Sequence, residues 1–351
     1  MSSAAGGIMT PLQRVVTTLG FKEPDRVPFF LLLTTHGARE LRMSIRDYFT
    51  DPEAIAEGQL RMQKRYGHDC LYTFTYAALE TEAWGGSVDF RDDGPPNASS
   101  LLAGNAAEID GLESPPVFGT SCLERTLEAT RILKRRAGDT IPIIGVVMSP
   151  FSVPVMQLGF PAYLDLIYDD RERFWRLMEK NIAFCTRWAN AQLEAGATAI
   201  CYFDPVSSPD MVPPELYLET GYVIAGRTIP AIKGPTATHL ASGRALPIVN
   251  LLAQTGTAIL GLSTLDDITD AKQACFGKLT VLGNLNGIEM RHWSAAEIED
   301  KVKTAIFKGG SGGGFILSDN HGEIHYSVPE SVLDGIGETM RAWGSYPLDG
   351  S

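Results

Sequence analysis

From residue 139 onward, short β-branched runs alternate with segments of helical periodicity, a pattern that commits the chain to a parallel sheet wound with helices. The runs are TIPIIGVVM (140–148), ATAICYF (197–203), IPAIKGP (229–235), GTAILGLS (256–263), KLTVLGNLN (278–286) and GFILSD (314–319). Between two of them, residues 170–196 place Phe174, Leu177, Ile182 and Cys185 near helical spacing, with Gly196 as a stop signal. Upstream, RVPFFLLL (26–33) and CLYTFTYAA (70–78) flank a helical stretch at 51–67 and raise the strand count to eight. Eight parallel strands, most followed by a helix, predict a TIM-type (β/α)8 barrel with an N-terminal helical and loop elaboration. A chain of 351 residues accommodates it as one domain over 10–351, with residues 1–9 as a flexible tail.

In such a barrel the loops that follow the strands gather around one mouth, so chemistry is expected at strand C-termini. His321 in SDNHGEI and His239 in TATHLASG stand at two strand ends, where two histidines can share a ligand, a proton or a metal. Asp204 in YFDPVSSPD precedes Pro205, which holds its backbone extended and aims the carboxylate, though capping the next loop would use the same residue. His36, Tyr76, Glu80 and Asn284 also follow strands and are expected as substrate contacts. His68 and His292 read as structural, and the glycine run at 309–314 precedes a strand, which puts it on the opposite, stability face.

Composition narrows the classes. With 44% hydrophobic and 21% charged residues the chain can bury a large core, and its net charge of −12 argues against nucleic-acid and anionic membrane partners. Five scattered cysteines without a CxxC pair indicate neither a disulfide framework nor a zinc ribbon, and the reading is a cytoplasmic protein. No dinucleotide, Walker or GxSxG motif follows a strand.

TPLQRVVTTLGFKEPDRVPFF at the start, FDPVSSPDMVPPELY in the middle, and VLGNLNG with NHGEI and VPESV at the end resemble the uroporphyrinogen decarboxylase superfamily over the whole chain from Thr10. LLLTTHGARELRMSIRDYFTDPEAIAEGQLRMQKRYGHD and DDGPPN are similar to its corrinoid-dependent methyltransferase branch. The resemblance implies a single barrel. It also matches His321 to the histidine of the decarboxylases' GHG segment, whereas their arginine-rich segment is represented here by Arg39 alone. Thiol methyltransferases of the superfamily carry an HxC and a later Cys as a zinc site, and the matching positions here are His239, Ala241 and His321.

Without thiolates to activate a thiol acceptor, the resemblance implies cleavage of an oxygen-bound methyl donor. The expected protein is the methyltransferase component of an O-demethylase, passing methyl from a small-molecule, methoxylated aromatic donor to a corrinoid (cobalamin) carried by a partner corrinoid-binding protein. His321 and His239 are then expected near the leaving oxygen, with Asp204 as orienter or proton partner. If zinc is bound, His239 and His321 are its expected ligands in an N/O site. The alternatives are a methylcorrinoid:acceptor methyltransferase using tetrahydrofolate or a thiol, a decarboxylase, and a catalytically silent barrel. A homodimer is compatible with all of them.

Overall fold

The computed structural model describes residues 8–104 and 106–348. Seven parallel strands form one sheet in chain order: β1 (Leu71–Tyr72), β2 (Ile143–Met148), β3 (Ala199–Phe203), β4 (Thr236–His239), β5 (Ile259–Gly261), β6 (Thr280–Leu285) and β7 (Phe315–Asp319). The extended segment 26–33 lies between β7 and β1 and makes the remaining stave. Phe29 bridges Leu317 in parallel, Phe30 N–H donates to Leu317 O at 2.8 Å, and Asp69 N–H donates to Phe29 O at 2.8 Å. Pro28 has no N–H for a regular ladder, and the Gln59 amide does part of the ladder's work. It donates to Leu33 O at 2.7 Å and accepts from Tyr72 N–H at 2.9 Å. The architecture is therefore the expected α/β barrel.

Two strands differ from the sequence reading. Residues 229–235 are a 3₁₀ turn (Ile229–Ala231) and a loop, and the strand is the next four residues, TATH, with His239 at its end. Pro230 and Pro235 break the apolar run, while the buried threonines read as polar in sequence. The 70–78 run keeps only Leu71–Tyr72 as strand, because β1 and β2 part after the Tyr72–Ile144 pair. Side chains fill the parting. Gln192 bonds both Val146 N–H and Val146 O, and Glu80 accepts Met148 N–H at 3.0 Å. Gly145 admits the Gln192 amide, which would lie 2.5 Å from any Cβ there.

Glu80 thus serves as a substitute strand partner through one oxygen, while the other is buried without a partner among the described residues. Its carboxyl sits beside Trp188 and Cys185 of the outer helix Arg171–Ala195, and burial raises its pKa to about 7. A group with a raised folded-state pKa stabilises fully below its unfolded value near 4.5 and loses that contribution as pH rises through about 7. Glu80→Gln keeps the acceptor for Met148 without the charge. Relative to wild type it is expected to gain stability from pH 4.5 to 7, by the order of 3 kcal/mol at about 1.4 kcal/mol per pKa unit, and nothing more above. Urea midpoints across pH check this, and a pH-independent difference would contradict it.

At the N-terminal end of the barrel the buried Asp69 receives Arg14 at 2.6 Å, Arg26 at 2.7 Å and Phe29 N–H at 2.9 Å. The glycine run lies on this same face. Gly313, at φ +69, passes so close to Lys22 that a Cβ would sit 2.4 Å from its carbonyl oxygen, so glycine is required there. Of the expected 1–9 tail, residues 1–7 lie outside the described residues. Met9 is fastened, its N–H to Asp25 and its carbonyl to Arg14. The five cysteines are buried and free, and no described helix is long and apolar enough to cross a membrane.

Candidate functional site

The barrel lumen is filled by Phe30, Leu32, Cys70, Tyr72, Val146, Cys201, Ala237, Ile259, Leu282 and Ile316. Side chains alternate along a strand, so His239, two residues beyond Ala237, points the same way at the mouth. Its ring stacks on Phe203 at 5.6 Å between centroids and 28° between planes. Phe74 follows at 6.4 Å from Phe203, and Tyr72 at 5.8 Å from Phe74. Gly261 makes the room: a Cβ there would lie 2.3 Å from His239 Cδ2.

His239 Nδ1 accepts the N–H of Ala241 at 3.0 Å. A neutral imidazole has one proton, so Nε2 carries it. That Nε2–H has no hydrogen-bond partner among the described residues, and His239 is 0% exposed. Burial, and secondarily the nearby His321, pull its pKa down to about 3. At neutral pH His239 is an uncharged donor aimed into the mouth.

The loop after β7 forms the opposing wall. Asp319 Oδ2 accepts the N–H groups of His321 and Gly322, each at 2.8 Å, while Oδ1 is buried without a partner among the described residues. Burial raises the Asp319 pKa, and the two backbone N–H bonds oppose it. His321 Nδ1 meets the Ser242 hydroxyl at 2.6 Å, and the Ser242 carbonyl is itself held by Ser263. Gly322, at φ +86, packs where a Cβ would lie 2.6 Å from Phe203 Cε2 and 3.5 Å from His239 Cε1. Its carbonyl accepts the Tyr72 hydroxyl at 2.9 Å. Glu323 accepts the Thr34 hydroxyl; burial raises its pKa to about 7, the Thr34 bond opposing and the Asp319 charge adding to the rise.

His321 lies within electrostatic reach of His239, and each of the other expected residues has contacts within the fold. Asp204 gives its buried carboxylate to three hydroxyls, Ser149 at 2.5 Å, Ser152 at 2.7 Å and Ser207 at 2.5 Å. It fastens the loop after β3, so the capping role prevails over that of orienter or proton partner. Tyr76 is wedged between Phe49 and Phe90 with its hydroxyl on Glu82. His36 packs on Tyr326 beside Arg39, and burial lowers its pKa to about 3. Asn284 donates to the carbonyls of Ser263 at 2.8 Å and Asp266 at 3.1 Å, bracing the loop after β5. Sequence reasoning missed Asp319 and Glu323. The signal was present, since Asp319 ends β7 and Glu323 stands four residues beyond it, but the histidine between them drew the reading.

Zinc does not fit the histidine pair. His239 Nδ1 is occupied by a backbone N–H and Nε2 by its proton, which leaves no lone pair for a metal. Among the described residues, no group of three or more His, Cys, Asp or Glu side chains is placed to hold a metal ion.

Comparison with known proteins gives the lineage. The sequence model of the family described as uroporphyrinogen decarboxylase (URO-D) matches residues 10–343. The chain belongs to the uroporphyrinogen decarboxylase family. It is 25% identical to the uroporphyrinogen decarboxylase of Teredinibacter turnerae over 78% of each chain, and 27% identical to that of Escherichia coli over 79% of each. Among solved structures it resembles a methyltransferase from Methanosarcina mazei, with TM-score 0.84, 18% identity and coverage of 95% of this chain and 99% of that one. A B12-independent methionine synthase from Shewanella is more distant, with TM-score 0.54, 14% identity and coverage of 92% and 93%. In this member of the uroporphyrinogen decarboxylase family, Arg39 is committed within the fold. It donates to the carbonyls of Val328 and Tyr326, and its guanidinium lies 4.3 Å over the Tyr326 ring.

Proposed function

We propose that the protein transfers a methyl group from the oxygen of an aryl methyl ether to a corrinoid presented by a partner protein. The observation that carries this reading is the buried His239 Nε2–H, unpartnered among the described residues, on a ring stacked against Phe203 at the end of an aromatic row. The corrinoid, when bound, supplies the nucleophile that takes the methyl group. The chain's own residues serve the oxygen left behind. As the carbon–oxygen bond breaks, its electron pair stays on oxygen, and His239 Nε2–H donates a hydrogen bond to that developing negative charge. A neutral imidazole is too weak an acid to surrender its proton at this step. Glu323, still protonated near neutrality, supplies the proton that makes the free phenol. Phe203, Phe74 and Tyr72 hold the ring and exclude water. The Methanosarcina mazei neighbour is a methyltransferase, which agrees with methyl transfer.

Mixing the protein with a reduced corrinoid carrier protein and a panel of methoxyarenes tests the reading by cobalt absorbance. Methylation of cobalt with at least one ether is the expected result, and no methylation with any donor would sink it. Because Glu323 must be protonated, kcat is expected to fall as pH rises through about 7. Glu323→Gln should be slower at pH 6 and should lose that descending limb. An unchanged profile in the variant would remove Glu323 from the proton's path.

A second reading, decarboxylation, is favoured by the curated relatives and by the same proton donors, which could equally protonate a carbanion left by carbon dioxide. The commitment of Arg39 within the fold counts against an acidic tetrapyrrole, which needs free cations. Carbon dioxide release without cobalt methylation would establish decarboxylation instead.

A further inference from the structure

We infer that the methyl donor selected by this pocket carries no anionic group: an uncharged aryl methyl ether is accepted, and a methoxybenzoate is excluded. The inference rests on the proposed methyl transfer for its choice of donor, but its selectivity follows from the walls of the site.

One wall is an aromatic row, Tyr72, Phe74, Phe203 and His239, with successive ring centroids 5.8, 6.4 and 5.6 Å apart. Successive ring planes are tilted by 47°, 33° and 28°, so the row is a stepped apolar surface that another ring can pack against. The opposing wall is acidic. Asp319 and Glu323 lie within electrostatic reach of one another and of Tyr72. Asp319 Oδ1, on a residue that is 0% exposed, is unpartnered among the described residues. This buried oxygen is free to accept from a ligand that can donate a hydrogen bond, as a phenol or catechol hydroxyl does and a carboxylate does not.

The basic side chain beside a carboxylated donor is His321, which already faces Asp319 and has its Nδ1 on the Ser242 hydroxyl. His239 is held uncharged by its Ala241 hydrogen bond and its burial. Arg39 is bound to the Tyr326 and Val328 carbonyls. Arg14 and Arg26 are paired with Asp69 at the far, N-terminal end of the barrel. An anionic ring would thus meet two carboxyl groups in a dry site, and like-charge contact of this kind costs several kcal/mol. Discrimination of about 100-fold or more is expected from that repulsion, at tenfold per 1.4 kcal/mol.

Calorimetric binding of 2-methoxyphenol and 2-methoxybenzoate to the full chain at pH 8 tests the selectivity, with cobalt methylation by each measured in parallel. The expected result is binding of the phenol at least about 100-fold tighter than the benzoate, with the same preference in methylation. Preference for the phenol in binding without any methylation would uphold the selectivity and overturn the proposed transfer. Equal affinities, tighter benzoate binding, or binding of neither would overturn the inference. Glu323→Gln and Asp319→Asn, taken separately, should each narrow the preference by roughly tenfold by admitting the benzoate. A folded variant that keeps the full preference would show that its carboxyl does not set it. If either variant fails to fold, the wild-type comparison still decides.

Discussion

Replacing Asp69 with alanine is expected to cost about 3–5 kcal/mol of folding stability, the usual penalty for removing one partner from a buried ionic cluster. Asp69 is fully buried, and its two oxygens gather Arg14 at 2.6 Å, Arg26 at 2.7 Å and the Phe29 N–H at 2.9 Å. The cluster joins the first helix, Pro11–Leu19, to the segment 26–33, which closes the barrel without a continuous strand ladder. With the carboxylate gone, Arg14, which is 4% exposed, keeps only Asp25 and Met9 as partners, and the stave loses the acceptor for Phe29. The exposed pair Arg61–Glu57 is the control, where alanine at Arg61 should cost under about 1 kcal/mol. Urea unfolding of both variants measures the contrast. A loss at Asp69 no larger than that at Arg61 would show that the stave is held by packing alone.

His239→Phe should lower kcat for ether cleavage by about 10²- to 10³-fold, the range found when one oxyanion donor is removed from a preorganised site. Phenylalanine can take the same stacked place on Phe203, so the aromatic floor survives and only the Nε2–H is lost. KM should move little, because the hydrogen bond strengthens as charge develops. His239→Gln, which retains an N–H donor, should recover part of the rate. A fall in kcat of less than about fivefold in the phenylalanine variant, with cobalt methylation otherwise intact, would mean that the leaving oxygen lies elsewhere.

The barrel was legible in the sequence because parallel strands buried on both sides leave short apolar runs at regular intervals, as in TIPIIGVVM and GFILSD. The misplaced strand shows where that signal fails. Thr236 and Thr238 are buried on the outer side of β4, and a buried threonine looks polar in sequence. Of the site, the two strand-end histidines were legible, since position on the rim needs only the strand count. The fates of Asp204, Tyr76, Glu80, His36 and Asn284 were not. Each follows a strand as a functional residue would, but their partners, Ser149, Glu82, Met148, Tyr326 and Ser263, stand elsewhere along the chain, as close as six residues away and as far as 290. Only the folded arrangement shows how these groups are held, Asp204 and Asn284 by several hydrogen bonds, and His36 and one oxygen of Glu80 buried without a hydrogen-bond partner among the described residues. Asp319 and Glu323 escaped for the converse reason, because their raised pKa values come from burial, which a polar stretch such as SDNHGEI does not advertise.

The proposed mechanism requires His239 to be an uncharged Nε2–H donor, and ¹⁵N NMR of the histidine side chains across pH 5 to 8 reports that directly. The expected spectrum shows His239 neutral throughout, with the proton on Nε2 and the Nδ1 shift of a hydrogen-bonded acceptor. An imidazolium at pH 6, or a neutral ring protonated on Nδ1, would contradict the proposed role of this residue and the mechanism built on it.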